Sequence, residues 1–470
     1  MAELLFATPL YDQIRNQLKG LPLCVDQLQR CDGIGDIHRH KLALRCINLK
    51  KEVSSISYFA NLSSNRMIVY LLTQRTWACT GFRQQVGQPS RLKNIFEVLS
   101  DLKLSILMFT SSLMSGKVKV GIIGSGGIAQ GCHLPGYQSI PDLCEVIAVC
   151  DINPEVAKEA ADKFHIGKIY TDYRELLNDS EIDAVSVTTP NKYHEEPSIR
   201  ALEAGKHVLC EKPLAMNGEE AKRICKAAKK SGKILQVALQ TRFGGNARFM
   251  RRYIDGGNMG DIYFARAQAL RRRGVPGWGV FIDKDKQGGG PLIDIGVHIL
   301  DFTLYLMGYP KPVSASGKTW DTLGKNPDLY NGMGDYDRSK FTVEDFAVAM
   351  IRFDNGAVVS LESSFMSNCE GDPFQTQFFG TKSGAIVKPY EEHGITISTE
   401  RDKQLFTMTP DNVPRVKSMH TAEVQAFIHA ILNNEPSPVP GENGLILNCI
   451  FDAIYKSSST GTEQKVDITF

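Results

Sequence analysis

The chain has 470 residues, 42% hydrophobic and 23% charged, the composition of an ordinary globular protein large enough for two or three domains. A formal net charge of +2 argues against a global basic field for nucleic acid, and apolar runs such as Leu104 to Phe109 are far too short to span a bilayer. Eleven cysteines without C-x-x-C pairing read as reduced, mostly buried thiols, and the N-terminus lacks the order of a secretory signal, so a cytoplasmic location is expected.

Residues 1 to 113 stand apart. They carry 14 Lys+Arg against 8 Asp+Glu, hold only 5 of the 41 glycines, and show no sustained strand-helix alternation. Helical patterns near Leu10 to Leu28 and Arg91 to Leu102 suit a small accessory region; alternatively the enzyme proper begins at Met114, and what precedes it is an extension or a misassigned start.

From Lys117 strands and helices alternate. Strands are predicted at Lys119 to Ile123, Cys144 to Cys150, Ala184 to Thr188, His207 to Cys210 and Ile234 to Ala238. Helices are predicted at Asn153 to Phe164, Glu195 to Glu203 and Gly218 to Ser231. Short apolar strands between amphipathic helices imply an α/β doubly wound parallel sheet over residues 114–240. Residues 241–470 change character, to a helix near Ala247 to Asp255 and then long strands. A hairpin is predicted from Asp345 to Phe353, turning through Asp354-Asn355-Gly356 and returning from Ala357 to Phe365, where Asn-Gly suits a two-residue turn with positive φ, and a second antiparallel unit from Gln375 to Val387 turning at Lys382-Ser383-Gly384. This half reads as an α+β domain.

The first strand ends in Gly124-Ser125-Gly126-Gly127-Ile128-Ala129, a G-x-G-x-x-A turn that lets a pyrophosphate approach helix N-terminal amides. Asp151 ends the next strand, placed to accept hydrogen bonds from ribose hydroxyls and to repel a 2′-phosphate, so NAD is favoured over NADP. The bland reading is a connecting turn, with Asp151 a cap before Pro154.

Two further clusters carry chemistry. Cys210-Glu211-Lys212-Pro213 leaves a strand at the crevice end of the sheet, where the Lys212 ammonium could favour a developing alkoxide; a lysine there is also commonly just a solvated charge. Gly288-Gly289-Gly290-Pro291 then leads into a helix on which Asp294, His298 and Asp301 fall at i, i+4 and i+7, one face of an otherwise apolar element. An adjacent carboxylate would orient the imidazole for proton transfer. Catalysis, a structural hydrogen-bond network and a metal site all remain open from this helix alone. Arg271-Arg272-Arg273 could meet an anionic substrate, and Trp278 or Tyr193 could stack on a sugar face, although a solvated edge and plain packing explain them equally well.

In combination these residues resemble the glucose-fructose oxidoreductase/inositol dehydrogenase (Gfo/Idh/MocA) family over about Lys117 to Val466. The resemblance rests on the Gly124 turn, Thr189-Pro190-Asn191 with His194, Glu211-Lys212-Pro213, the Asp294, His298, Asp301 helix, Val343-Glu344-Asp345 and the Glu423 to Ala430 helix. It implies a Rossmann domain that binds NAD and a second domain whose large, mainly antiparallel open sheet covers the nicotinamide. It further implies that Lys212 and Asp294 contact a reacting sugar or polyol, that His298 is the general acid/base, and that no metal is needed. Gly124, Ser125, Gly126, Gly127, Ile128, Ala129, Asp151, Thr189, Pro190, Asn191, His194, Glu211 and Lys212 are the expected cofactor contacts, with Asp301 in support. A homodimer or homotetramer is expected, with no nucleic-acid or membrane partner. Three function classes follow: a dehydrogenase exchanging free NAD, an enzyme using tightly held NAD transiently, and a non-catalytic NAD-dependent regulator. Substrate identity is expected to lie in the loops from about Ala269 to Lys286 and Asp321 to Asp337.

Overall fold

The computed structural model describes residues 116–470, so both helical patterns expected before Met114 lie outside the described residues. The first sheet comprises β1 (Val118–Ile123), β2 (Cys144–Cys150), β3 (Lys168–Tyr170), β4 (Ala184–Val187), β5 (His207–Glu211) and β6 (Leu235–Ala238). Its order is β3-β2-β1-β4-β5-β6 and all pairs are parallel, the doubly wound arrangement. Every residue of β1 except Lys119 is buried, as a strand covered on both faces requires. β3 was not expected: three residues at a sheet edge carry too little apolar pattern to read.

Helix ends follow local chemistry. Asn153 accepts a bond from Glu155 N–H, Pro154 opens the Pro154–Phe164 helix, and His165 closes it in the left-handed region. Asn217 caps the Gly218–Ser231 helix by accepting from Glu220 N–H, and the Glu220 carboxylate returns to Met216 N–H.

The second sheet has nine strands in the order β14-β13-β12-β11-β7-β10-β9-β8-β15. These are β7 (Ile262–Leu270), β8 (Pro312–Trp320), β9 (Phe346–Phe353), β10 (Val358–Ser364), β11 (Phe374–Gly380), β12 (Ser383–Val387), β13 (Ile395–Arg401), β14 (Gln404–Met408) and β15 (Gln464–Lys465). Only β7 with β10 is parallel; the other pairs are antiparallel. The expected hairpin is β9-β10, and it turns through Asp354-Asn355-Gly356 as expected. Gly356 N–H reaches Phe353 O and, of these three, Gly356 alone takes positive φ, a type I turn closed by a left-handed glycine rather than the two-residue turn that Asn-Gly suits. The β11-β12 turn likewise lies at Thr381-Lys382, and Ser383 and Gly384 already pair in β12.

Sequence order and spatial order part company near the C-terminus. The Met419–Asn433 helix, well inside the second half of the chain, packs Val424, Phe427 and Ile428 into one core cluster with Val118, Val120, Ile122, Leu134 and Tyr137 of the parallel sheet unit. The Gly441–Thr460 helix bridges β8 and the Gly218–Ser231 helix. Among the described residues no helix is long and apolar enough to cross a membrane.

Candidate active site

The glycine loop leaves β1 with Gly124 at φ +92°, and a Cβ there would stand 2.8 Å from the Thr188 carbonyl carbon, so only glycine fits. Thr188 Oγ donates to Gly124 O at 2.5 Å, which fastens the loop to the end of β4. Gly126 and Gly127 have open space where side chains would be. The Asp151 carboxylate accepts from Ser125 N–H and Asn153 N–H, both at 2.9 Å, and so stands beside the loop at the end of β2. Ile152 next to it is 92% exposed and supplies no cation. An open glycine cradle with a carboxylate beside it fits a dinucleotide without a 2′-phosphate.

Several expected cofactor contacts have other roles in the structure. His194 is fully buried, and its ring nitrogens meet Pro213 O and Thr189 O, both at 2.8 Å, which pins the 189–194 loop to the strand end and leaves no free ring nitrogen. Asn191 Nδ2 donates to Gln287 O at 2.9 Å. Ala129 is buried as well. Both Glu211 oxygens are engaged below the crevice, by His133 Nε2 at 2.9 Å and Lys212 N–H at 3.0 Å.

Lys212, Asp294 and His298 are brought together. Lys212 Nζ lies 2.9 Å from Asp294 Oδ1 and 3.2 Å from Asp294 O. Burial opposes the charge on Lys212, but Asp294 and Glu211 outweigh it and raise its pKa. Burial likewise opposes ionised Asp294, and Lys212 followed by Arg271 outweighs it and lowers that pKa. His298 is held down to about 3 by burial and then by Lys212, so the ring is neutral at neutral pH.

The three glycines before Asp294 are dictated by close approach. A Cβ at Gly289 would stand 1.9 Å from Tyr455 OH, one at Gly290 2.1 Å from Glu344 O, and Gly288 has φ +86°. Buried Glu344 then holds the following turn by accepting from Leu292 N–H at 3.1 Å and Tyr455 OH at 2.9 Å. This gives Glu344 a structural place in the site.

The single helix expected here is broken. Pro291–Asp294 and Gly296–Leu306 are separate helical segments joined at Ile295 (φ −110°), so Asp294 and Asp301 do not continue one stripe. Asp301 is fully buried and pairs with Arg242, which also contacts Asn443 and Tyr309. It does not orient His298, whose buried Nδ1 has no hydrogen-bond partner among the described residues. Among the described residues no three His, Cys, Asp or Glu side chains converge on a metal position.

Asp294 and His298 line a cavity of about 370 Å³ whose other walls include Arg271, Trp278, Phe281, Met333 and Tyr390. These come from the two loops expected to set substrate identity, with Tyr390 from neither. Tyr390 OH lies 3.1 Å from Thr241 Oγ, and Trp278 meets Phe281 edge-on with centroids 6.4 Å apart. Of the three arginines only Arg271 lines the cavity; Arg273 is spent on Ser367 O and Asn368, and Arg272 is exposed. Tyr193 is half exposed and outside the cavity.

Residues 118–239 match the model of an oxidoreductase family with a NAD-binding Rossmann fold, and residues 251–468 match that family's C-terminal alpha/beta domain. The chain is 36% identical over 353 residues to D-glucoside 3-dehydrogenase of Escherichia coli (strain K12), covering 75% of this chain and 98% of that protein. It is 33% identical over 296 residues to levoglucosan dehydrogenase of Pseudarthrobacter phenanthrenivorans, covering 58% of this chain and 74% of the other. A solved structure of levoglucosan dehydrogenase with NADH and L-sorbose superposes with a TM-score of 0.67 at 26% identity, covering 75% of this chain and all of that one. With an open glycine cradle, a carboxylate beside it and both domains matched in order, the chain belongs to the Gfo/Idh/MocA family of NAD-binding oxidoreductases.

Proposed function

We propose that this chain oxidises a secondary hydroxyl of a sugar, inositol or related polyol, and that the observation carrying this reading is the cavity where Asp294 and His298 meet aromatic walls beside the partly buried Lys212. The NAD-binding domain of the family and the sugar dehydrogenases among its relatives support it. The amides of Gly126, Gly127 and Ile128 would hold the pyrophosphate of a bound NAD, and Asp151 would accept from its adenosine ribose. The chemistry that NAD would supply there is hydride acceptance from the carbinol carbon.

The chain's own groups manage the oxygen and its proton. Lys212 Nζ, held by Asp294, donates to the substrate oxygen and offsets the charge that develops on it. His298 is neutral and accepts the hydroxyl proton, then releases it to solvent; in the reverse direction it returns a proton to the carbonyl oxygen. Asp294 accepts from a neighbouring hydroxyl and fixes the ring, while Trp278 and Tyr390 face apolar patches of the sugar.

The test is NADH absorbance with purified protein, NAD and a panel of polyols, aldoses, glycosides and sugar acids, run beside His298→Ala. NADH formation that vanishes in the variant is the expected result. Bound NAD with no NADH from any compound, accompanied by turnover of a sugar to an isomer or cleavage product, would replace this reading with tightly held, transiently used NAD.

A further inference from the structure

Immediately after the glycine loop the chain makes the five-residue turn Ala129–His133, in which Leu134 N–H bonds Ala129 O in an i→i−5 closure. Turns of this kind occur frequently at functional sites. It lays His133 under the sheet with 1% exposure. There Nδ1 is 3.1 Å from Ser186 Oγ on β4, and Nε2 is 2.9 Å from Glu211 Oε1 at the end of β5. Ser186 Oγ is in turn 2.7 Å from Tyr137 OH. The second Glu211 oxygen accepts the Lys212 N–H at 3.0 Å.

The proton positions follow from these contacts. Burial pushes the Glu211 carboxyl up, yet His133 and then Lys212 outweigh it and bring it to about 2, so the group is ionised and can only accept. His133 Nε2 therefore donates to Glu211. Its Nδ1 accepts from the Ser186 hydroxyl, and Ser186 accepts from Tyr137 O–H. Every member of this chain then has a hydrogen-bond partner.

We propose that His133 is a positioning residue for Lys212: through Glu211 it fixes the end of β5 and holds a negative charge beside the lysine, linking the cofactor loop to the group that meets the substrate oxygen. The proposal rests on the role given to Lys212 above. Among the described residues the titratable groups facing Glu211 are His133, Lys212, His194, His298, His420, Cys132, Cys210 and Glu423. Lys212 is faced by Asp294, Glu211, Tyr390, His298, His194 and His420. Asp294 and Glu211 are the anions that keep Lys212 charged. Displacing or protonating Glu211 removes one of them, so the Lys212 pKa falls and the alkaline limb of kcat/KM moves to lower pH.

The experiment measures kcat/KM against pH for the full chain with an oxidisable sugar, in His133→Leu, Glu211→Gln and the double variant, with NADH affinity and Tm as controls. His133→Leu is expected to lower kcat/KM about tenfold and shift the alkaline limb down by about one pH unit, with NADH affinity held. In the Glu211→Gln background it should change neither further. His133→Gln, whose amide can still donate to Glu211, should recover most of both. If His133→Leu does not fold, His133→Asn, a shorter polar residue that does not reach Glu211, carries the same expectation. An unmoved alkaline limb, or additive losses with Glu211→Gln, would overturn the proposal. Undiminished turnover in Lys212→Met would instead remove the lysine's role and leave the His133 link to Glu211 standing.

Discussion

The proposed cofactor side of the crevice is consecutive backbone, Gly124 to Ile128, whereas the proposed substrate side is a cavity whose walls Arg271, Trp278, Met333 and Tyr390 come from separate loops. A binding surface made of peptide groups needs particular residues mainly where side chains must be absent, and that need is written in the sequence as glycines. A surface made of side chains advertises its chemistry through residue type but hides its shape in loop conformation. The two sides should therefore fail differently when altered: one through cofactor affinity, the other through the sugar.

The largest effect belongs to the residue where both sides meet. Lys212→Met should lower kcat/KM about a thousandfold, the scale of losing one preorganised donor to a developing oxyanion, while calorimetry finds NAD affinity unchanged. Next comes Gly124→Ala, which places a Cβ 2.8 Å from the Thr188 backbone at a φ of +92°. Strain of about 1–3 kcal/mol predicts NAD binding weaker by roughly ten- to a hundredfold, with little change in the sugar KM at saturating NAD. Normal NAD affinity would mean that the loop can relax. On the opposite side, Trp278→Ala should raise the sugar KM about fivefold, for about 1 kcal/mol of aromatic contact, and leave NAD affinity alone. An unchanged KM would take Trp278 out of substrate binding.

The last effect is on stability against pH rather than on turnover or affinity. His298 sits at about 3 in the folded protein against an ordinary 6.5, so between those values the unfolded chain binds a proton that the folded chain refuses. Stability is full above pH 6.5 and drains as pH falls toward 3. Calorimetric Tm should drop less steeply across that window in His298→Leu than in the unaltered chain; parallel slopes would mean that the ring titrates normally.

The parallel sheet was readable because its strands are buried runs between capped helices, and the glycine loop because a backbone site constrains residue type. Lys212, Asp294 and His298 were expected together from the family resemblance, and the structure does bring Lys212 onto Asp294 and place Asp294 and His298 on one cavity. Asp301 was misread: i+7 spacing presumes an unbroken helix, and its partner Arg242 lies 59 residues away in sequence. Among the described residues no carboxylate hydrogen-bonds His298 Nδ1, where an adjacent carboxylate was expected to orient the ring. β3 was missed because an edge strand of three residues has no period to detect. His133 left one faint signal, a histidine inside the apolar stretch after the glycine loop, but Ser186 and Glu211 reach it only through sheet order.

The Met419–Asn433 helix gives the molecule a schedule as well as a core. During synthesis the six strands of the parallel sheet emerge first, but the face that takes Val424, Phe427 and Ile428 stays uncovered until that helix follows. At about 5–20 residues per second the interval between the end of β6 and this helix is roughly ten to forty seconds. Throughout it, among the described residues, the apolar surface of the nascent parallel sheet that this helix covers still awaits a later part of the same polypeptide.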